Sequence, residues 1–303
     1  MKGYFYIASS GILYGTIPIF ATYLSRYEVS TIQQVILRIA ICLVVFLIYN
    51  RLNPNSSLRL KSSDYKHFGW FGLVGIALFF MFYLSSAVLV GVATAVLLLY
   101  TQPVYTMILS ALLLKEKISI YGILAAVLSL VGVIVIVQIW DLKQSGFSFG
   151  HVCGLLSGLG YSIYIIFMRK FAGHKHYPSL TITFWSFLSG LIWLLLLWPV
   201  FMVIFSEPEI SAISLPLDWR IWLFLLGFAL LPTLFAYLLF NRGIATVQSH
   251  RAGLMVLLEP VSAVLMGWLL LNQTLKSTDL AGGALIISAL LILQFDRAKA
   301  DNS

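Results

Sequence analysis

The sequence predicts an all-α membrane protein of ten transmembrane helices, arranged as two inverted five-helix repeats. Three observations lead to this prediction. First, 60% of the 303 residues are hydrophobic and only 10% are charged, whereas soluble domains are about 45–50% apolar and about 25% charged. Second, the apolar residues form ten runs, each near the length of about 20 residues that a spanning helix needs. Third, the second half of the chain repeats a pattern of the first.

The ten runs follow one another with short polar segments between them. The run after Met1 to Gly3 is predicted to be the first span and not a signal peptide, because it continues to Leu24 without a small-residue cleavage site. In the first half, the predicted spans cover residues 4–24, 31–49, 68–88, 92–114 and 119–139. In the second half, they cover residues 150–170, 180–205, 220–240, 251–271 and 280–295. The polar segments are too short for a soluble catalytic or nucleotide-binding domain.

The basic residues predict the orientation. With the N-terminus in the cytoplasm, 14 of the 19 Lys and Arg residues lie on the cytoplasmic side and four lie outside, while Arg38 falls within a span. Cytoplasmic loops are enriched in Lys and Arg, so we expect a multi-pass protein of the cell membrane with both termini in the cytoplasm. The net charge of +8 follows from this sorting, and we expect no nucleic-acid partner.

The internal repeat is visible when the sequence is shifted against itself. A shift of 157 places residues 93–118 on residues 250–275 with seven of 26 positions identical, and it pairs Gln102-Pro103 with Glu259-Pro260. A shift of 147 pairs Ser10, Gly11 and Tyr14 with Ser157, Gly158 and Tyr161. Spans one to five therefore correspond to spans six to ten. Because five is odd, the halves are predicted to have opposite orientations, a plan that many secondary transporters share.

These motifs resemble the EamA repeat of the drug/metabolite transporter superfamily. The resemblance rests on residues 95–103 followed by Leu112 to Glu116, and on residues 254–260 followed by Leu269 to Gln273. It implies a ten-helix bundle that moves small metabolites through a cavity between two repeats, here residues 1–140 and 150–296, with an outer linker at 141–149 and a cytoplasmic tail at 297–303. The second repeat departs from the pattern, since Gln273 replaces the acidic residue that the first repeat has at Glu116.

Two charged residues lie about 10 Å inside predicted spans, at 1.5 Å per helical residue: Arg38 and Glu259. A charge inside the hydrocarbon costs about 2.5–3.5 kcal/mol even on insertion scales, so such residues rarely face lipid. Glu259 is a candidate for binding a substrate amine or a proton, and Arg38 for binding a carboxylate or phosphate. The alternative is structural: the two side chains pair with each other or with backbone carbonyls near Pro260.

Further candidates lie near the two proline motifs. Pro103 and Pro260 are predicted to break their helices and to act as hinges, because proline removes a backbone hydrogen bond. Taken singly, the polar and aromatic residues around them are more typical of interhelical packing, but as a group they predict a cavity that stacks and hydrogen-bonds a small organic solute. This group contains Tyr14, Thr16, Tyr83, Thr94, Gln102, Tyr105, Tyr161, Tyr164, Tyr237 and Ser249.

The sequence therefore predicts a secondary or facilitative transporter that moves a small metabolite by alternating access, with export of an amino acid or a related polar or aromatic solute as the leading function. The alternatives are an exchanger of phosphorylated or nucleotide-linked sugars and a membrane-embedded enzyme that acts on lipid. No nucleophile with its base, metal-ligand pattern or phosphate-binding loop is recognisable, so we expect no enzyme activity, cofactor or metal. The expected partners are the substrate and the bilayer. Proton coupling and the oligomeric state are left open, and a monomer is compatible with the pattern.

Overall fold

The computed structural model describes residues 2–53, 58–141, 147–174, 177–204, 218–271 and 274–300. Within these ranges the chain contains helices and no strand, which confirms the all-α class. Nine of the helices described are long and apolar enough to cross a membrane: α1 (Lys2–Ser25), α2 (Thr31–Leu52), α3 (Ser62–Val90), α4 (Val92–Leu114), α5 (Ile120–Val137), α6 (Phe149–Gly173), α7 (Ser179–Val203), α8 (Trp219–Ile244) and α9 (Ser249–Leu270).

The tenth helix, α10 (Ser277–Ala300), has a shorter apolar part, Ser277–Leu293. The predicted tenth span therefore stays a prediction. The third helix begins earlier than the sequence predicts, at Ser62 rather than 68, because Asp64 is buried and accepts a hydrogen bond of 2.9 Å from the Tyr177 hydroxyl. Most of the predicted linker at 141–149, the end of the tail at 297–303 and Gln273 lie outside the described residues.

Several contacts between helices are preserved when each helix of the first half is exchanged with its counterpart in the second. Helix α1 packs on α8, and α6 packs on α3; α1 also packs on α9, and α6 on α4. Helices α2 and α8 pack together, as do α7 and α3, while α5 packs along α10. Many large side chains on the outside of the bundle are apolar and exposed, which is what a surface covered by lipid requires.

Three helices are interrupted partway along their length. Helix α1 breaks at Gly15-Thr16, α4 at Tyr100-Thr101 and α9 at Val256-Leu257. In α4 and α9 the chain resumes as Gln102–Leu114 and Leu258–Leu271. Pro103 and Pro260 thus lie in the first turn of a new helical segment, where the backbone N–H has no helical partner and proline is tolerated.

Glycines bring the first helix of each half against these breaks. A Cβ atom on Gly11 would lie 3.3 Å from the backbone oxygen of Met255, and a Cβ on Gly158 would lie 3.1 Å from that of Leu99. Under the shift of 157, Leu99 corresponds to Val256, whose backbone oxygen would also lie 3.6 Å from a Cβ on Gly11. The small residues at these positions therefore serve close packing within the bundle.

Candidate substrate site

Six tyrosines from five helices come together beside the breaks in α1, α4 and α9. We call this group the tyrosine cluster: Tyr14, Tyr83, Tyr100, Tyr161, Tyr164 and Tyr237. The rings of Tyr14 and Tyr164 each meet that of Tyr237 edge-on, with centroids 5.5 Å apart, and the Tyr161 ring lies 6.1 Å from that of Tyr164. Tyr100 and Tyr83 join the group through their electrostatic interactions with one another and with Glu259.

Glu259 is the acidic residue of this region. It occupies the first turn of the segment Leu258–Leu271, directly after the break in α9 and directly before Pro260. The Tyr100 hydroxyl lies close enough to donate a hydrogen bond to its carboxylate. The charge of Glu259 also acts on four other members of the cluster, Tyr14, Tyr83, Tyr161 and Tyr237. A carboxylate in this position can bind an amine or a proton.

Arg38, from α2, supplies the positive charge. Its guanidinium carbon lies 5.1 Å from the ring centre of Phe80 and 4.9 Å from that of Phe228, and the side chain is only 6% exposed. Among the described residues, no carboxylate oxygen lies within 4.0 Å of this guanidinium, and its Nε atom has no hydrogen-bond partner. Arg38 and Glu259 interact electrostatically but form no direct salt bridge. The direct pair, one of the two forms of the structural alternative, is therefore not formed in this conformation.

Three polar side chains of the site remain partly accessible. Glu259, Tyr83 and Tyr237 lie deep among the helices, yet each keeps part of its side chain accessible. The accessible region beside these three side chains is the candidate location for a substrate. Its aromatic rings, carboxylate and guanidinium are suited to a small solute that carries both a charged group and an apolar body.

A chain of hydrogen bonds holds the tyrosine cluster against α7 and α8. The Tyr164 hydroxyl donates to Oδ1 of Asn241 at 3.2 Å, and Nδ2 of Asn241 donates to the Thr183 hydroxyl at 2.8 Å. The Thr183 hydroxyl in turn donates to the backbone oxygen of Ser179 at 2.7 Å. Tyr164, Asn241 and Thr183 are buried, so the chain satisfies polar atoms that would otherwise be costly to desolvate and fixes the orientation of Tyr164.

Five of the predicted cavity residues have other partners or no described contact with the tyrosine cluster, and one of them, Ser249, binds Glu116. Gln102 is fully buried and is held by two hydrogen bonds: its Nε2 donates to the Gly253 backbone oxygen at 2.8 Å, and its Oε1 accepts from Thr106 at 2.9 Å. The Thr16 hydroxyl donates to its own helix, to the Leu13 oxygen at 2.8 Å. Thr94 and Tyr105 are partly exposed, and no contact described joins them to the tyrosine cluster.

Sequence reasoning did not identify Tyr100, Phe80 or Phe228. Tyr100 precedes the Gln102-Pro103 motif by two residues, so its place at a helix break could be inferred from the motif. Phe80 and Phe228 are two among 21 phenylalanines, and nothing in the sequence marks them as neighbours of Arg38. Within the ranges described, no group of three or more His, Cys, Asp or Glu side chains comes together as a metal site would.

Comparison with known proteins agrees with this architecture. The model of the EamA-like transporter family matches residues 1–138 and 148–295. An uncharacterized transporter of Archaeoglobus fulgidus is 32% identical over 73% of this chain and 75% of its own length. A probable amino-acid metabolite efflux pump of Salmonella typhimurium is 25% identical over 66% of this chain and 67% of its own. A crystal structure that is 18% identical covers 98% of both chains with a TM-score of 0.78, which shows the fold. This chain belongs to the EamA-like transporter family, a family of multi-pass membrane transporters in the drug/metabolite transporter superfamily.

Proposed function

We propose that this protein exports a small metabolite with a carboxylate, an amino acid or a related polar or aromatic solute, by alternating access through the space lined by the tyrosine cluster. The observation that carries the proposal is Arg38: a buried guanidinium beside this space, with no carboxylate of the described chain within salt-bridge distance. An uncompensated buried charge is costly, so a ligand carboxylate that completes it gains binding energy. Glu259 then meets the ligand amine or takes up a proton.

The aromatic surroundings favour a solute with an apolar body. The Tyr14, Tyr161 and Tyr237 rings provide apolar faces, and their hydroxyls provide donors and acceptors. Amino acids with aromatic or aliphatic side chains combine these features with a carboxylate and an amine. The printed name of the Salmonella typhimurium relative, an efflux pump for amino-acid metabolites, supports both this substrate class and the direction of transport.

Alternating access follows from the proposed repeats. The exchange of α1 with α6 and of α4 with α9 in the packing supports two inverted five-helix repeats, in residues 1–140 and 150–296, and a tenth span in α10. The sorting of Lys and Arg supports a cell-membrane protein with both termini in the cytoplasm. In such repeats, the two halves rock about a central site, so that the site opens to one side at a time.

The proposal is tested with purified protein in proteoliposomes. Uptake by counterflow is measured for a panel of amino acids, amines, sugar phosphates and nucleotide sugars, in the wild type and in the Arg38→Met and Glu259→Gln variants. We expect one class with a carboxylate to be transported, and its transport to fall at least about tenfold in Arg38→Met, the loss expected when a charged pair is removed. Arg220→Met is the matched control, because Arg220 also lies over an aromatic ring, Trp219, but at an exposed site.

Other results would contradict the proposal. Transport of an amine without a carboxylate at full rate in Arg38→Met would remove the proposed role of Arg38. Transport of sugar phosphates or nucleotide sugars alone would replace the proposed substrate class. Wild-type transport in Glu259→Gln, with the same pH dependence, would show that Glu259 binds neither the amine nor a transported proton.

A further inference from the structure

A second charged cluster lies between α4, α6 and α9, outside the substrate site. At its centre is Glu116, in the short segment that joins α4 to α5. Its carboxylate accepts hydrogen bonds from the Ser249 backbone N–H at 2.8 and 3.1 Å and from the Ser249 hydroxyl at 3.2 Å. It also lies 3.4 Å from Nδ1 of His250 and 3.5 Å from Nε of Arg169. We call these four residues the Glu116 cluster.

The Glu116 cluster connects elements from both halves of the chain. Glu116 belongs to the first half, while Arg169, Ser249 and His250 belong to the second. Through its other end Arg169 also holds the end of α8, because Nη1 donates to the backbone oxygens of Ile244 at 2.9 Å and Ala245 at 2.6 Å. The side chains of Arg169, Glu116 and His250 are only 17%, 8% and 0% exposed. Each buried group therefore depends on the others for its compensation.

The backbone before Glu116 is shaped for this contact. Helix α4 ends at Leu114, and the next residue, Lys115, adopts a left-handed conformation with φ of 55°. Residues other than glycine adopt this conformation at a cost of roughly 1–2 kcal/mol. The N–H groups of Lys115 and Glu116 both return to the Ser110 backbone oxygen, the latter at 3.1 Å. This turn directs Glu116 back toward α9, where the Ser249 N–H at the helix start needs an acceptor.

The Glu116 cluster stands where α4 and α9 are closed against each other. The segments Gln102–Leu114 and Ser249–Met255 pack together, and the bond from Gln102 to the Gly253 oxygen reinforces the contact. At the opposite end of the same two helices, the described segments Val92–Leu99 and Leu258–Leu271 show no comparable packing. The closed end lies near Tyr4, whose hydroxyl accepts a hydrogen bond from Arg251. This is the end that is predicted to face the cytoplasm.

The sequence provides no equivalent cluster for the opposite end. Under the shift of 157, Glu116 corresponds to Gln273, while Ser249 and His250 correspond to Val92 and Ala93. These residues offer neither a carboxylate nor an imidazole. An ionic contact between α4 and α9 of this composition is therefore specific to the predicted cytoplasmic end.

We propose that the Glu116 cluster is the latch that keeps the cytoplasmic end of the transport path closed, and that it must separate for the site to open to the cytoplasm. This inference rests on the proposed function. Because Glu116 is shared by the contacts from Ser249, His250 and Arg169, withdrawal of one carboxylate releases α9 and α6 together. In the open state the separated charges are exposed to water, which replaces the lost contacts and makes opening reversible.

The experiment measures the distance across the latch directly. Spin labels are attached at Lys117→Cys and Lys170→Cys, two exposed positions on either side of the Glu116 cluster, while the native Cys42 and Cys153 are buried. In Glu116→Gln we expect the population of the longer distance to rise at least twofold over wild type. The matched control is Asp279→Asn, whose carboxylate accepts a backbone N–H, that of Lys276, at 2.9 Å at the opposite end of the bundle. We expect no change in the control.

The outcomes separate the latch from the transport function, because the distance measurement needs no substrate. An unchanged distance distribution in Glu116→Gln overturns the latch even if transport is found. A shifted distribution without transport of any panel compound supports the latch and contradicts the proposed substrate. If Glu116→Gln does not fold, His250→Gln, which keeps Glu116, Ser249 and Arg169, is measured instead. An unchanged distribution in that variant overturns the role of His250 in the latch.

Discussion

At the scale of single residues, the Tyr100 hydroxyl is the donor that tests the Glu259 site most directly. Tyr100→Phe removes this hydroxyl and keeps the ring. Hydrogen bonds to charged groups contribute about 1.5–3 kcal/mol, so we expect the transport rate to fall at least about tenfold. Tyr105→Phe, on the same helix but without a described contact to the tyrosine cluster, should transport at the wild-type rate. Equal rates of counterflow in the two variants would show that Tyr100 does not support Glu259.

The charge of Glu116 should be visible in the pH dependence of stability. Burial by itself raises the pKa of this carboxyl, but the hydrogen bonds from His250 and Ser249 and the charge of Arg169 outweigh burial, so that its pKa lies below the ordinary value of 4.5. A carboxyl with a lowered pKa stabilises the fold above its ordinary pKa, and this stabilisation is lost as the pH falls through the lowered value.

This effect is measured by comparing the wild type with Glu116→Gln, so that His250, whose hydrogen bond helps to lower the pKa of Glu116, stays in place. We expect the difference in melting temperature between the two proteins to shrink as the pH falls below about 4.5. A difference that grows on acidification would contradict a lowered pKa. Glu28→Gln, at an exposed residue, is the control and should not show this dependence.

At the scale of helices, close approach of α9 to the break in α1 sets a limit on the size of the residue at Gly15. A Cβ atom there would lie 2.8 Å from the backbone nitrogen of Ala263, so α1 and α9 would have to move apart. We expect Gly15→Ala to destabilise the protein by about 1–3 kcal/mol, the usual cost of overpacking. Gly69→Ala is the matched control in α3, because its Cβ would meet no atom within 4 Å. If the two variants melt at the same temperature, α1 is not packed tightly on α9.

The positions of most helices could be predicted from the sequence, because a span needs about 20 apolar residues and hydropathy records them. The interior breaks were harder to predict. Pro103 and Pro260 signal two of them, but the break in α1 falls at Gly15-Thr16, ahead of Pro18, and hydropathy does not change there. The start of α3 at Ser62 also escaped prediction, because it depends on the contact between Asp64 and Tyr177, which are distant in sequence.

At the scale of the whole molecule, the sequence predicts which residues are charged within the bundle but not which partners surround them. Arg38 and Glu259 are conspicuous because charges are rare in apolar runs, whereas Phe80 of α3 and Phe228 of α8 become neighbours of Arg38 only when the helices assemble. Gln102 is predicted from the sequence to line the cavity. Instead, its hydrogen bond to the Gly253 backbone oxygen makes it part of the contact between α4 and α9.

The same contact predicts the direction from which the substrate site is reached. With α4 and α9 closed at the Tyr4 end, a membrane-impermeant maleimide should reach a Tyr83→Cys variant from the outside of intact cells. Tyr83 is partly accessible, and the opposite ends of α4 and α9 are not packed together. Thr106→Cys, at the closed contact between these helices and fully buried, is the matched control and should react slowly. Both variants carry alanine at Cys42 and Cys153. If Tyr83→Cys reacts from the outside as slowly as Thr106→Cys, the substrate site is not open to the outside. Labelling of Tyr83→Cys only in inside-out vesicles would contradict the proposed resting state. In that state the latch at Glu116 is closed, and the site must open to the cytoplasm before it can bind substrate there.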